Sequence, residues 1–259
     1  MKHQEEFRNG KTARRLAARL RAASTRPMRI MEICGTHTVS AFRHGLRSIL
    51  PPTVELVSGP GCPVCVTATE EIDRAIKLAR QPGVRVATFG DLVRVPGTES
   101  SLKQEQAAGA RVSVVYSTLD AVKLARENPQ EEVVFLGIGF ETTAPTVAAA
   151  VLAAHQAGLG NFTVLSAHKL LPPAMAALLS SGDLKIDGFM CPGHVTTIIG
   201  ADSYREVAAG YGTPCVVTGF EPVDILQGVL MLVELFEAGR AEVAIQYKRG
   251  AAAEGNPKA

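Results

Sequence analysis

The sequence lacks an apolar run long enough to cross a membrane. Its longest strongly apolar stretch, residues 229–236, is interrupted by Glu234 and falls well short of the roughly 20 residues that a transmembrane helix needs. The first residues are charged where a secretory signal would need an apolar block. We therefore expect a soluble, cytoplasmic protein with no membrane partner.

The sequence also lacks a strong excess of either charge. The formal net charge is +2 over 259 residues, so the total gives no strong attraction to a polyanion. Basic residues do crowd the segment from Lys11 to Arg26, where Leu16 and Leu20 lie at helical spacing. That segment has no aromatic residue to stack on bases. We interpret residues 1–27 as a solvated amphipathic helix and expect no nucleic-acid partner.

Cysteine is scarce, and the familiar site motifs are missing. Five cysteines in a chain of this size do not form the pattern of a disulfide framework, so they are better interpreted as metal ligands, redox thiols or core residues. There is no second Cys-x-x-Cys motif, which disfavours a zinc site built from two such pairs. The glycine-containing segment of residues 137–145 has neither Gly-x-Gly-x-x-Gly nor Gly-Lys-Ser/Thr, which disfavours nucleotide binding there.

What the sequence does contain is an alternation of short β-branched runs and helix-patterned segments. The runs cover residues 28–33, 54–57, 84–89, 111–116, 133–138, 162–165, 186–190 and 215–217. This alternation implies parallel sheet, and the last four runs repeat the first four at a nearly constant offset. We predict an α/β fold of two similar doubly wound, mainly parallel-sheet domains with a cleft between them. An eight-stranded βα barrel is the alternative.

A polar stretch, residues 126–132, separates the two sets of runs and marks the natural boundary. The predicted domains are therefore residues 28–128 and residues 129–245. The amphipathic helix, residues 1–27, precedes them, and a C-terminal tail, residues 246–259, follows.

In either architecture, the loops that leave the carboxyl ends of the strands form the functional face. Eight chemically capable residues fall just after predicted strands, and we expect them to converge on one site. They are Cys34, Cys62, Asp91, Glu141, His168, Cys191, His194 and Glu221.

The most informative motif is Cys62-Pro63-Val64-Cys65. Two thiols at this spacing can close a small disulfide ring or chelate one metal ion. The surrounding prolines and glycines describe a rigid exposed loop, a context that favours function over packing. A switch between dithiol and disulfide is the more economical interpretation.

Cys34-Gly35-Thr36-His37 is the second motif. Gly35 allows a sharp turn after the strand, and Thr36 or Thr38 can cap the following helix. A thiolate at this strand tip would be a good nucleophile or a ligand for a soft metal centre, whereas a small core residue is the alternative.

Three further residues are candidates, and one cysteine is not. His194 has a side chain suited to proton transfer, although it could equally be a capping or core histidine. Asp91 and Glu141 could act as acids in the site or could hold a loop through backbone hydrogen bonds. Cys215 lies inside a predicted strand and is expected to be buried and inert.

Taken together, these segments resemble the HypD family of [NiFe]-hydrogenase maturation proteins. The resemblance runs in order through nearly all of the chain from Met28. The matching segments are Cys34-Gly35-Thr36-His37, residues 59–65, residues 89–97, residues 139–145, Pro192-Gly193-His194-Val195 and Gly219-Phe220-Glu221-Pro222.

The resemblance implies a scaffold on which iron acquires two cyanides and one carbon monoxide, as Fe(CN)2CO, before delivery to a hydrogenase large subunit. It implies a HypC-type chaperone and a HypE-type cyanide donor as partners. Cys34 would bind the iron together with a cysteine of the chaperone, Cys62 and Cys65 would be the redox-active pair, and His194 would lie near the iron. Residues expected to line the bound group are Thr36, His37, Asp91 and Glu141. Such a protein is a maturation scaffold more than a turnover enzyme.

The family normally continues into a cysteine-rich C-terminal region that binds a [4Fe-4S] cluster. Nothing after Cys215 can serve as a thiolate ligand in this sequence. We therefore expect a truncated form or a variant without the cluster, in which the Cys62/Cys65 pair receives electrons from an outside reductant.

Two other functions stay open from the residues alone. The first is a cytosolic thiol-disulfide oxidoreductase that uses Cys62 and Cys65. The second is a zinc-binding protein in which Cys34, Cys62 and Cys65 are joined by Cys191 or a histidine.

Overall fold

A computed structural model describes residues 5–182 and 185–259. The first four residues of the predicted N-terminal helix, residues 1–4, lie outside the described residues, as do residues 183 and 184. Within the described part of the chain, nine strands alternate with ten α-helices, and the strands form two separate parallel sheets. The predicted α/β class with doubly wound parallel sheets is confirmed. The barrel alternative is wrong, because neither sheet closes on itself.

The elements have the following bounds. The strands are β1 Met28–Glu32, β2 Val54–Ser58, β3 Val84–Thr88, β4 Arg111–Val114, β5 Glu132–Gly137, β6 Phe162–Ser166, β7 Gly188–Pro192, β8 Cys215–Thr218 and β9 Val243–Ile245. The helices are α1 Gly10–Ala23, α2 Gly35–Arg43, α3 Thr69–Ala79, α4 Leu102–Ala107, α5 Thr118–Glu127, α6 Ala144–Gln156, α7 Leu171–Ser180, α8 Gly193–Ile199, α9 Arg205–Tyr211 and α10 Pro222–Glu237.

The chain forms two compact units. The discontinuous unit comprises the residues up to Cys62 and those from Leu170 onward, and the inserted unit comprises residues 63–169. The strand order is β2-β1-β7-β8-β9 in the discontinuous unit and β4-β3-β5-β6 in the inserted unit. Numbered within each unit, the first four strands share the order 2-1-3-4, so the two units are similar in topology.

This division differs from the predicted one. The boundary predicted after residue 128 lies inside the inserted unit, between α5 and β5. Strands β7 and β8 return to the first sheet, where β7 pairs with β1 in a register that sets Ile30 opposite Gly188. Strand order depends on contacts between distant segments, and the local pattern of a strand does not encode its neighbour.

Both faces of the sheet in the discontinuous unit are covered. Alternate residues of β1 point to opposite faces, so Met28 and Ile30 pack with α1 and α10 whereas Met31 packs with α7 and α9. Helix α10 is buried along most of its length because it lies between this sheet and α1. The inserted unit is built in the same way, with Val86 on one face of its sheet and Ala87 on the other.

Two strands differ from their predicted positions. Strand β7 begins and ends two residues later than predicted. Cys191 and Pro192 are therefore part of the strand instead of the loop. Strand β9 was not predicted, because three residues at the edge of a sheet give too short a pattern. None of the described helices has the length and apolar character that spanning a bilayer requires.

The burial of α1 gives a test of this packing. Leu20 of α1 is fully buried and packs with residues of α10. We expect Leu20→Ala to lower the free energy of unfolding by about 2–5 kcal/mol, because the smaller side chain leaves a cavity. Leu170 is 56% exposed in the same unit, so Leu170→Ala is the matched control and should cost less than about 0.5 kcal/mol. Urea unfolding followed by circular dichroism measures both. Equal losses would contradict the placement of α1.

Candidate functional site

Four strand ends meet at one edge of the sheet in the discontinuous unit. Strands β2, β1, β7 and β8 are consecutive neighbours and all parallel, so the loops after them leave from the same edge. These loops carry Cys34 after β1, residues 59–62 after β2, His194 after β7, and Phe220 after β8. The predicted convergence therefore holds for these loops.

Cys34 is the buried thiol of this edge. It occupies the N-cap position of α2 and is 5% exposed. The backbone carbonyl of Cys34 accepts hydrogen bonds from the amides of His37, at 3.0 Å, and Thr38, at 3.3 Å. Its Sγ lies 3.8 Å from Nε2 of His194, close enough for a hydrogen bond to sulfur. The thiol and the imidazole can therefore share a proton.

The predicted threonine cap of α2 is wrong. Thr36 is exposed in the first turn, and no side chain caps the helix. The hydroxyl of Thr38 instead donates to the Glu32 carboxylate at 2.7 Å. Donation to a buried carboxylate is a charge-assisted hydrogen bond, which is stronger than a bond that the hydroxyl would accept from a neutral backbone amide at the start of the helix.

The loop that precedes Cys62 lies directly against Cys34. The amide of Gly35 donates to the carbonyl of Gly61 at 3.4 Å, and the amide of Gly59 donates to the carbonyl of Glu32 at 2.8 Å. A Cβ atom on Gly61 would overlap the Cα of Cys34 and the amide of Gly35. Only glycine allows this approach of two backbones, which explains the glycine immediately before the first cysteine of the Cys-x-x-Cys motif.

An aromatic stack forms the opposite side of the site. The ring of Phe220 lies between two imidazoles, 4.6 Å from His37 and 4.8 Å from His194, and is nearly parallel to both. The side chain of His194 is exposed on the surface of the unit, and the partial loss of water around its ring lowers its pKa below the ordinary value. His194 is therefore neutral at pH 7 and able to accept a proton.

His37 is fully buried and its tautomer is fixed. Its Nε2 lies 3.2 Å from the carbonyl of Thr218 and 3.0 Å from the carbonyl of Gly219. Carbonyl oxygens only accept hydrogen bonds, so Nε2 carries the proton and donates. Burial lowers the pKa of His37 to about 4, which keeps the ring neutral. Nδ1 is buried and has no hydrogen-bond partner among the described residues.

Glu32 is a buried acid that the sequence did not reveal. It is fully buried at the end of β1, and its Oε2 lies 3.5 Å from a guanidinium nitrogen of Arg47. Its Oε1 is buried without a hydrogen-bond partner within the described ranges. Glu32 lies within the apolar run that predicts β1, so the sequence pattern did not single it out as a site residue.

The other predicted site residues belong to the inserted unit or to element ends. Cys65 and Asp91 are exposed in the inserted unit, and Glu141 is buried there, just after β5. His168 in the same unit has Nδ1 2.9 Å from the hydroxyl of Ser166. Glu221 caps α10 in the discontinuous unit, in a capping box with Asp224.

Cys191 and Cys215 lie in the core. Both are fully buried, in β7 and β8, and burial together with the neighbouring Cys215 raises the pKa of Cys191 well above its usual range. The predicted burial of Cys215 is confirmed. Neither thiol fits a [4Fe-4S] cluster, whose ligands are thiolates, and no group of three His, Cys, Asp or Glu in residues 5–182 and 185–259 is arranged to hold a metal ion. The zinc alternative gains no support.

Phe220 was missed as a site residue, although a signal for it exists. It is the second residue beyond β8, at the same strand edge as the other loops. The same rule pointed to its neighbour Glu221, whose charge looked more useful than an aromatic ring. The position of Phe220 two residues after β8 was the available signal, whereas its stacking on the two histidines is visible only in the structure.

Comparisons with known proteins identify the family of this chain. Residues 11–259 match the family model for HypD, described as the hydrogenase formation hypA family. The hydrogenase maturation factor HypD of Azotobacter vinelandii is 49% identical over 100% of this chain and 70% of its own length. The HypD protein of Rhodobacter capsulatus is 47% identical over 99% of this chain and 70% of its own length. The HypD protein of Escherichia coli K12 is 48% identical over 91% of this chain and 63% of its own length.

One solved structure, a conserved domain protein of Vibrio cholerae, aligns with 85% of this chain and 89% of its own. Its identity is 12% and the TM-score is 0.18, a similarity too low to inform the fold.

The contact between Gly61 and Cys34 leads to a first prediction for the site. We expect Gly61→Ala to push the loop away from Cys34 and to cost about 1–3 kcal/mol of unfolding free energy, because the new Cβ has no space. Gly210 in α9 has open space around it, so Gly210→Ala is the control and should be neutral or stabilising by up to about 1 kcal/mol. Urea unfolding measures both costs, and a neutral Gly61→Ala would disprove the close approach.

The buried His37 leads to a pH prediction. Its pKa is about 4 in the folded protein against an ordinary value of 6.5, so the unfolded chain binds more protons between these values. Stability should therefore fall as the pH drops from about 6.5 towards 4, with a contribution from His37 of roughly 3 kcal/mol at the most. Unfolding free energies between pH 4.5 and 7 measure this dependence.

The matched variants for the pH prediction are His37→Gln and His44→Gln. The glutamine amide at position 37 still donates a hydrogen bond but does not titrate, so the pH dependence should flatten. His44 is exposed, and its replacement should leave the dependence as it is in the parent. The same slope in His37→Gln as in the parent would rule out the buried neutral imidazole.

Proposed function

Because the chain belongs to the HypD family of hydrogenase maturation factors, we propose that it is the scaffold on which the Fe(CN)2CO group of [NiFe]-hydrogenases is assembled. The observation that carries the proposal is the Cys34 thiol, nearly buried at the edge where four strands end, with a neutral imidazole beside it. The proposal locates the protein in the cytoplasm, where thiols stay reduced.

Cys34 is the iron ligand in this proposal. A low-spin iron with cyanide and carbonyl ligands is a soft centre that thiolates bind well. Binding converts the thiol to a thiolate and releases one proton. His194 Nε2 lies 3.8 Å from the sulfur and is neutral at pH 7, so it can take that proton.

The second thiolate comes from a partner. Cys34 directly follows the loop-side end of β1 at this edge, whereas Cys191 and Cys215 are core residues within β7 and β8. We propose that a HypC-type chaperone supplies a cysteine opposite Cys34, so that the iron is shared between two chains. A HypE-type protein supplies the cyanides. His37 and Thr36, on the first turns of α2, are proposed to line the bound group.

Cys62 and Cys65 are proposed to be the redox pair. Oxidation of two thiols to a disulfide releases two electrons and two protons, and an outside reductant restores the thiols. Both cysteines are thiols in this structure, with Cys62 half-buried and Cys65 exposed, so such a reductant can reach them. Asp91 and Glu141 in the inserted unit are proposed to contact the bound group.

A thiol-disulfide oxidoreductase is the second candidate function. The exposure of Cys65 favours it, because a protein disulfide must reach the attacking sulfur. The two functions differ in their need for Cys34. An oxidoreductase would reduce a generic disulfide equally well in the parent and in Cys34→Ala, whereas the scaffold function depends on that thiol.

The scaffold proposal is tested on the complex with a HypC-type chaperone, isolated without oxygen. We expect infrared bands of bound cyanide and carbon monoxide in the parent, and their complete loss in Cys34→Ala, because the iron loses one of its two thiolates. Cys215→Ala removes a core thiol and is the matched control, which should keep the bands. Bands that survive in Cys34→Ala, or disappear equally in the control, would contradict the proposal.

A further inference from the structure

The ring of Tyr247 fills a space that three glycines leave open. A Cβ atom on Gly193 would lie 2.5 Å from the Tyr247 ring, one on Gly250 would lie 2.5 Å from it, and one on Gly219 would lie 2.7 Å from it. All three positions belong to the discontinuous unit. A ring in contact with three glycines packs directly on their backbones, so it fixes the backbone paths on either side of it.

Two of these glycines directly precede residues of the candidate site. Gly193 comes immediately before His194, and Gly219 comes immediately before Phe220. Tyr247 also meets Phe220 edge to face, with ring centroids 6.3 Å apart and an interplanar angle of 63°. One side chain therefore contacts both loops that build the stack beside Cys34.

Tyr247 is itself held by the ion pair of the partly exposed Arg249 with the buried Asp224. The guanidinium of Arg249 lies 4.5 Å from the centroid of the Tyr247 ring and 3.9 Å from that of Phe7. Arg249 donates two hydrogen bonds to Asp224, which is fully buried in α10. A bidentate pair with a buried carboxylate has little freedom to move, so it fixes the guanidinium over the ring.

The segment around Tyr247 is anchored on both sides. The amide of Tyr247 donates to the carbonyl of Val217 at 3.2 Å, which continues the pairing of β9 with β8. Further along, the hydroxyl of Thr197 donates to the carbonyl of Gly250 at 2.8 Å. The amide of Asn256 donates to the carbonyl of Ile198 at 3.0 Å. The chain after β9 is therefore a strap across α8, the helix that begins with Gly193 and His194.

We propose that Tyr247 is the positioning residue that sets His194 against Cys34, with Arg249 and Asp224 holding the tyrosine ring in place. The ring acts by fixing the backbone before His194 and the ring of Phe220, on which His194 stacks. The importance of this position for iron binding rests on the function proposed above, but the geometric claim does not.

The test compares Tyr247→Ala, Tyr247→Phe and Tyr211→Ala in the full chain. Tyr211 is partly exposed at the end of α9 in the same unit, so its replacement controls for the loss of a tyrosine. The first readout is the nuclear magnetic resonance shift of the His194 ring protons, assigned with His194→Gln. These protons are shielded by the Phe220 ring on which the imidazole stacks, and the measurement needs neither iron nor a partner.

We expect the His194 ring protons to move downfield in Tyr247→Ala, because the stack opens. The second readout is alkylation of Cys34 at pH 7, which should become about two- to tenfold faster, the range expected when one aromatic contact is lost and the thiol is uncovered. Tyr247→Phe keeps the ring, so the His194 proton shifts and the rate of Cys34 alkylation should stay at the parent values. Tyr211→Ala should also leave both at the parent values.

Gly250→Ala gives a second route to the same result. Its Cβ would overlap Cε1 and Cζ of the Tyr247 ring and displace the ring, so it should move both readouts in the same direction as Tyr247→Ala. Unchanged His194 shifts in folded Tyr247→Ala and Gly250→Ala would overturn the positioning role. A second outcome is a change in the His194 proton shifts while the infrared bands of cyanide and carbon monoxide equal those of the parent. This outcome would support the positioning role and count against the use of His194 in iron loading.

Discussion

The parallel alignment of four neighbouring strands is the constraint on which the site depends. Because β2, β1, β7 and β8 run in the same direction, their carboxyl ends meet at one edge, and the loops that follow them are brought together. Cys34 and His194 are 160 residues apart in the chain and become neighbours only through the pairing of β1 with β7. A change that broke this pairing would separate the thiol from the imidazole without altering either side chain.

Close packing at that edge is achieved with glycine and neutral histidine. Gly61 lets one backbone lie on another, and glycines beside Tyr247 let an aromatic ring lie on two loops. Burial keeps both imidazoles of the stack uncharged at pH 7, which avoids the cost of placing two positive charges on either side of Phe220. The neutral imidazole of His194 beside Cys34 can therefore accept a proton from the thiol.

The fold class was predictable from the sequence, but the way the chain is divided was not. The alternation of apolar runs predicts parallel strands and helices, and eight of the nine strands lie close to their predicted positions. Whether β7 extends the first sheet or begins a second one depends on contacts between distant residues, such as Ile30 with Gly188. A domain boundary read along the chain cannot represent a unit whose middle is an insertion.

The site was predictable where a motif has its own chemistry. Cys34, Cys62 and His194 follow strands and carry reactive side chains, so position and chemistry both identify them. Phe220 and Tyr247 have no such chemistry, and their roles follow only from the rings and glycines they contact. Glu32 reads as part of an apolar strand, and its burial is seen only once β1 is placed at the centre of its sheet.

We propose that the sulfur of Cys34 binds the iron. Alkylation of the parent complex with a HypC-type chaperone, before and after iron loading, tests this binding when the modified cysteines are located by mass spectrometry. We expect Cys34 to be protected in the loaded complex and to react again once the iron is removed by a chelator. Equal modification of Cys34 with and without iron, in a complex that retains its cyanide and carbonyl bands, would contradict it.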